Sequence, residues 1–174
     1  YQDSIEVDEL RHPIFVKARR LIPDSEGAGR FRGALGAYSE FSPVGCSMTV
    51  AYVSDGNVNP ATGAREGMSG GASAQFRRKA DGSLEPVPAC AEVLIAEGEA
   101  MVSISGGGGG YGHPFERDPM RVAHDVREGW VSAERARQVY GIVLSPDGSP
   151  DLAATLACRD QMPGSRKGIG PTSE

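Results

Sequence analysis

The sequence predicts a mainly β fold, an antiparallel sandwich or barrel-like domain closed at its C-terminal side by a helical hairpin. Three observations point there. Most apolar runs are short, rich in β-branched or aromatic residues, and flanked by Gly, Pro, Asp or Asn. Asp55-Gly56 and Asp81-Gly82 are hairpin signals between such runs. After a run of five glycines, the pattern changes to the 3.6-residue spacing of amphipathic helices.

In chain order, strands are expected over residues 14–19, 37–41, 48–54, 72–77, 91–96 and 100–105, with a tight turn at Glu97-Gly98. A helix follows in "RDPMRVAHDVREGW", with Asp118 as N-cap, Pro119 in the first turn and Gly129 as the stop; Met120, Val122, Ala123 and Val126 form its inner stripe. A second helix, "SAERARQVYG", is capped by Ser132, stopped by Gly141, and turns Ala133, Ala136, Val139 and Tyr140 inward. A short strand in "GIVL" and a variable segment come next, and "MPGSRKGIGPTSE" has the composition of a frayed tail. The divisions are a β-rich domain at 1–105, a glycine-rich loop at 106–116, a helical hairpin and short strand at 117–144, and a variable tail at 145–174.

The 174 residues suffice for one ordinary domain and its core. A formal net charge of −5 leaves no positive field for nucleic acid or an anionic membrane surface; "KARR" and "FRRK" read as solvated strand faces. No apolar run approaches the ~20 residues needed to cross a bilayer, and the acidic start is unlike a signal peptide, so a cytoplasmic location is expected. Cys46, Cys90 and Cys158 are widely spaced and odd in number, which suggests buried free thiols rather than a disulfide framework or zinc site. Tyr1 in place of an initiating methionine suggests a processed, truncated or partial chain.

Two stretches carry the functional argument. In "SISGGGGGYGHPFERDP", Gly106, Gly107, Gly108, Gly109 and Gly110 lead into Tyr111 and His113. Gly107, Gly109 and Gly112 formally match a dinucleotide fingerprint, but a proline and a charged segment separate them from the helix start, and no Gly-Lys-Ser/Thr makes a Walker loop. An anion nest of backbone amides or a connection pressed against a neighbouring backbone remains. In the second case alanine is costly, with Gly108 and Gly110 the worst positions and Tyr111 as an anchor.

The second stretch, "PDSEGAGRFRGALG", presents Arg30 and Arg32 on a glycine-rich turn. Such a turn suits a carboxylate, a phosphate or a partner's acidic side chain, or a wide turn whose arginines pair with Glu26 or Glu40. His12, His113 and His124 lack metal-ligand spacing, and His113 alone is placed like a functional side chain. No serine elbow, Cys–His pair or tight carboxylate cluster assembles a catalytic site within the chain.

Together, "SIEVDELRHPIFVKARRLIPDSEGAGRFRGALGAYSEF", "ISGGGGGYGHPFERDP" and "VAHDVREGWVSAERARQVYGIVL" resemble the C-terminal part of the hydantoinase B/oxoprolinase family. The family pattern is departed from at Glu26 (glycine in the family), Phe31 (tryptophan), Ser105-Gly106 (Pro-Gly) and His113 (aspartate). The resemblance implies a fragment or split subunit of a larger α+β component in an ATP-dependent hydrolase of lactams, hydantoins or 5-oxoproline. A ketone carboxylase component, or a non-catalytic assembly module, is the alternative. It further implies a complementary N-terminal hydantoinase B polypeptide and a hydantoinase A-type subunit as partners, acting together on a small-molecule substrate. ATP and Mg are expected on a partner subunit and a divalent metal in the complementary part of the B subunit, with no cofactor or metal on this chain. The isolated chain is expected to be inactive, with His113 as its candidate catalytic residue and Arg30, Arg32, the five glycines and Tyr111 as candidate substrate or partner contacts.

Overall fold

The structure, a computed structural model, describes residues 4–162. Helix α1 (Ile5–Arg11), capped by Ser4, delivers the chain into β1 (Ile14–Leu21). The remaining strands are β2 (Ala37–Pro43), β3 (Met48–Val53), β4 (Ala74–Arg78), β5 (Leu84–Pro86), β6 (Cys90–Ile95) and β7 (Ala100–Ile104). They form a five-stranded antiparallel sheet in the order β1-β2-β7-β4-β5 and a separate two-stranded ribbon, β3-β6. The mainly β reading therefore holds, with each of the six strands expected before the glycine run present to within two residues at each end; β5 is an addition.

The three expected turns play different parts. Asp81-Gly82 does close the β4–β5 hairpin, Gly82 taking a left-handed φ of 86°. Asp55-Gly56 does not join paired strands. It lies in a short 3-10 turn (Asp55–Asn57), and β3 pairs instead with β6, so the chain leaves the ribbon here for a long glycine-rich excursion. The turn at Glu97-Gly98 carries the chain from the ribbon into the sheet rather than folding β6 onto β7.

Helices α2 (Pro119–Arg127) and α3 (Ala133–Tyr140) form the expected hairpin with the expected caps, Asp118 and Ser132 accepting from the first-turn amides and Gly141 closing α3 at φ 64°. Its core joins Val122, Val131, Ala136, Tyr140 and Ile142 to Ala28. Met120 is 62% exposed and Ala133 is not buried either, so the inner stripes are narrower than the spacing suggested. The strand expected in "GIVL" reduces to one bridge between Leu144 and Pro150. Part of the 145–174 tail is helical. Asp151 caps a helix α4 (Leu152–Gln161), tied down by Arg159 donating from Nε to the Tyr140 carbonyl and from Nη2 to the Arg117 carbonyl, both at 3.1 Å. The frayed-tail segment from residue 163 lies outside the described residues. None of the three cysteines is buried: Cys90 is exposed, Cys46 and Cys158 half-buried.

Between sheet and helices lies a layer made almost wholly of backbone. Segments 25–36, 61–71 and 106–112 run side by side and exchange hydrogen bonds. Gly27 N–H donates to Gly108 O at 2.8 Å, Gly108 N–H to Ala34 O, Gly107 N–H to Gly71 O and Gly110 N–H to Met68 O, each of these last three at 2.9 Å. None of residues 106–110 has a positive φ, so glycine is required by close approach and not by conformation. A Cβ on Gly107 would sit on the Ser25 carbonyl oxygen, one on Gly109 on that of Thr62, and one on Gly110 on that of Ala28.

Candidate functional site

The glycine layer delivers side chains to one end. Tyr111 bridges Phe31 on one side and Ala64 on the other, its amide donating to Phe31 O at 2.9 Å, while Gly112 donates to Ala64 O at 3.0 Å. This register brings Arg30, Arg65, Glu66, Tyr111, His113 and Glu116, from three distant segments, around a cavity of about 230 Å³. Arg30 lies over the Phe31 ring at 5.5 Å and Arg65 over the Tyr111 ring at 5.7 Å, cation–π contacts that hold two guanidiniums at the rim. Of the residues singled out in the sequence, Arg30, Tyr111 and His113 converge here.

His113 is positioned by the 3-10 turn that follows it (Pro114–Glu116). Its Nδ1 accepts from the Phe115 amide at 3.1 Å and its ring stands edge-on to Phe115 at 4.7 Å. An accepting Nδ1 puts the proton of the neutral ring on Nε2, which makes the outward nitrogen a donor. Arg65 and Glu66 were not anticipated: they sit at φ 47° and 70°, a left-handed conformation that side chains rarely adopt and that costs on the order of 1–3 kcal/mol per residue. With Gly112 at φ 76°, three left-handed residues edge one cavity. Strain of this kind concentrates where surrounding structure holds a loop for a purpose. Nothing in "TGAREG" but its flanking glycines marks the site.

The other singled-out residues lie elsewhere. Arg32 turns inward: its Nε and Nη2 grip the Asp125 carboxylate at 3.0 and 3.1 Å, and its guanidinium stacks at 5.3 Å on Trp130. Arg117 adds a third bond to Asp125 at 2.8 Å. Arg32 thus pairs with neither Glu26 nor Glu40. Glu26 is fully buried and accepts from Arg135 Nε at 2.7 Å and the Tyr140 hydroxyl at 2.9 Å, joining the glycine layer to α3. Burial first, then the Glu26 charge, pushes the Tyr140 hydroxyl far above the ordinary tyrosine range. Gly107, Gly108, Gly109 and Gly110 are inside the layer, while Gly106 edges a second cleft. Among the described residues no group of three or more His, Cys, Asp or Glu could hold a metal ion, and no helix is long and apolar enough to cross a membrane.

Fold and site together define an antiparallel β module with a helical hairpin, whose polar cavity hangs on a glycine backbone layer. The chain belongs to the hydantoinase B/oxoprolinase family, whose model matches residues 1–114. It is 35% identical over 160 residues to the caprolactamase subunit beta of Pseudomonas jessenii, covering 90% of this chain and 28% of that protein. The crystal structure of the ATP-dependent caprolactamase from Pseudomonas jessenii superposes with a TM-score of 0.73 at 29% identity, over 90% of this chain and 28% of the other. A nucleotide-free acetone carboxylase structure shares the fold, with a TM-score of 0.64 at 23% identity over 91% of this chain and 26% of the other. The chain therefore spans little more than a quarter of the length of these relatives.

Proposed function

We propose that the chain serves as the C-terminal part of a hydantoinase B-type component in an ATP-dependent hydrolase of cyclic amides: lactams, hydantoins or 5-oxoproline. The observation that carries this reading is the convergence of Arg30, Tyr111 and His113 on one strained cavity, within a chain whose relative is an ATP-dependent caprolactamase. An unactivated amide is a poor electrophile, and in this reading ATP and Mg on a hydantoinase A-type subunit supply activation at the amide oxygen. In the same reading a divalent metal is held by the complementary N-terminal hydantoinase B polypeptide.

What this chain contributes is recognition. Arg30 and Arg65 present guanidiniums to an oxygen that gains negative charge, and His113 adds an Nε2–H donor at the same cavity. In this reading the chain acts only within the assembled complex and is inactive alone. The shared acetone carboxylase fold supports a second reading, a ketone carboxylase component.

The test is lactam-stimulated ATP hydrolysis by the complex reconstituted with its complementary polypeptide and A-type subunit. Arg30→Met and His113→Ala are each expected to lower kcat/KM at least tenfold with an unchanged melting temperature. Unchanged turnover in both would retire the site and leave an assembly module, and turnover with ketone and bicarbonate but not with lactam would establish the carboxylase reading.

A further inference from the structure

A second cleft, of about 440 Å³, opens between the β3-β6 ribbon and the five-stranded sheet. Phe41, Val50 and Tyr52 give it an apolar wall, and a floor of hydroxyls and one carboxamide faces them. Most of its polar groups are committed to the protein. Ser54 and Ser73 share a hydrogen bond at 2.6 Å, Asn59 donates to the Asp55 carboxylate at 2.8 Å, Ser105 Oγ accepts from the Ala37 amide at 2.8 Å, and the Tyr52 hydroxyl donates to Pro88 O at 2.6 Å. Gln75 and Ser103 are different. They are register partners on β4 and β7, so their side chains share one face of the sheet. Gln75 is only 7% exposed, yet among the described residues its carboxamide has no hydrogen-bond partner, and neither has the Ser103 hydroxyl. Neither is sealed from solvent, since the fully enclosed unpartnered side-chain atoms are Glu26 Oε2 and Arg117 Nε.

A mostly buried carboxamide left unpaired is costly unless something else completes it. Its open edge offers a donor and an acceptor side by side, and the complement of that edge is an N–H and a C=O on the same side of one molecule. A trans peptide places those groups on opposite sides of the C–N bond, whereas a lactam or hydantoin ring forces them onto one side. The apolar wall suits ring methylenes, and the lining has no cationic side chain to hold an anion, while its one carboxylate, Asp55, accepts from Asn59.

We propose that this cleft binds a small neutral cyclic amide through the Gln75 carboxamide, with Ser103 as an auxiliary partner. The choice of ring chemistry rests on the hydrolase reading above; the site itself does not involve the Arg30–His113 cavity. The two are joined by the glycine run, at most ~18 Å of backbone from Gly106 to Tyr111.

The test uses the full 174-residue chain and no turnover. ε-Caprolactam and 2-pyrrolidinone are titrated by protein-observed NMR, with acyclic, trans N-methylacetamide as the control. The expected result is saturable binding of the rings at least tenfold tighter than of the control, with shifts at the Gln75 side-chain amide and intermolecular contacts from ring methylenes to Phe41 and Tyr52. Gln75→Glu, which keeps the shape but loses the donor, is expected to weaken ring binding at least tenfold. Val50→Trp, which fills the cleft without touching Gln75, is expected to abolish it. Equal affinity for the trans amide, or ring binding unaffected by both variants, overturns the proposal. So does ring binding that disappears when the complementary polypeptide is added, because the cleft is then a docking seat. A complex that turns over no lactam while the chain still binds rings through Gln75 ends the hydrolase reading and not this one.

Discussion

At the scale of single residues, two glycine requirements separate cleanly. Gly45 has φ 68° and open space where a Cβ would stand, with nothing within 4 Å, so Gly45→Ala is expected to cost only the left-handed penalty, about 1 kcal/mol. Gly107 has ordinary dihedrals but places any Cβ on the Ser25 carbonyl, which is itself fixed by the Gly71 amide at 2.8 Å. Gly107→Ala is expected to cost about 3 kcal/mol or more, since backbone cannot move aside as a side chain can. Gly108, expected from the sequence to be among the worst positions, is milder: its Cβ meets Ala34 N at 2.9 Å, and that of Gly106 meets Gly71 O at 3.2 Å. Denaturant melts of the four alanine variants check this order, and equal losses at 45 and 107 would refute it. The arginines separate as well. Arg32→Met strands the nearly buried Asp125 with one of its two cations gone and is expected to destabilise by about 3 kcal/mol. Arg30→Met, at an exposed rim, is expected to stay within about 0.5 kcal/mol.

At the scale of elements, the β6–β7 turn carries a pH signature. Glu99 accepts from Arg77 Nε and Nη2 at 3.0 and 2.7 Å and from the Ala96 amide at 2.9 Å, and the Arg77 bonds, then the amide, hold its carboxyl below the usual range. A depressed folded pKa adds stability that is complete above the unfolded value of about 4.3 and is lost as pH falls through the lower folded value. Melting temperature should therefore drop on acidification below about pH 5, and Glu99→Gln should flatten the drop; parallel curves for the two proteins would exclude Glu99 as its source. Strands and helix caps like these were legible in the sequence because they depend on local signals: β-branched runs, Asp-Gly, Asp118, Ser132. What was not legible was pairing at a distance. β3 finds β6 across the whole of β4 and β5, Asp55-Gly56 opens an excursion instead of a hairpin, and α4 hides in a weakly amphipathic "LAATLACRDQ" that its Asp151 cap and Arg159 bonds hold in place. In the site, Arg30, Tyr111 and His113 stood out beside glycines, while Arg65 and Glu66 become site residues only through a backbone conformation that residue identity does not announce.

At the scale of the whole molecule, the glycine layer determines how the fold comes apart. Its amides join segments far apart in sequence: Gly108 to Ala34, Gly110 to Met68, Gly112 to Ala64. Releasing any of them requires the three segments to separate, and Ala28, in one of those segments, is also part of the core beneath the helical hairpin. Residues 106–112 continue directly from β7, which is hydrogen-bonded on both sides to β2 and β4. Sheet, glycine layer and hairpin thus share partners, and the layer has no route to open alone. Amide hydrogen exchange reads this directly, because groups freed only by global unfolding share one protection level while locally opening groups fall below it. The amides of Gly107, Gly108, Gly110 and Gly112 are expected to match those of β7 within about tenfold, despite the mobility five glycines would have in isolation. The Asp147–Ser149 turn, held by local bonds at the surface, is expected to exchange far faster. If the glycine amides instead exchange a hundredfold faster than β7, the layer opens independently and residues 106–110 act as a tether.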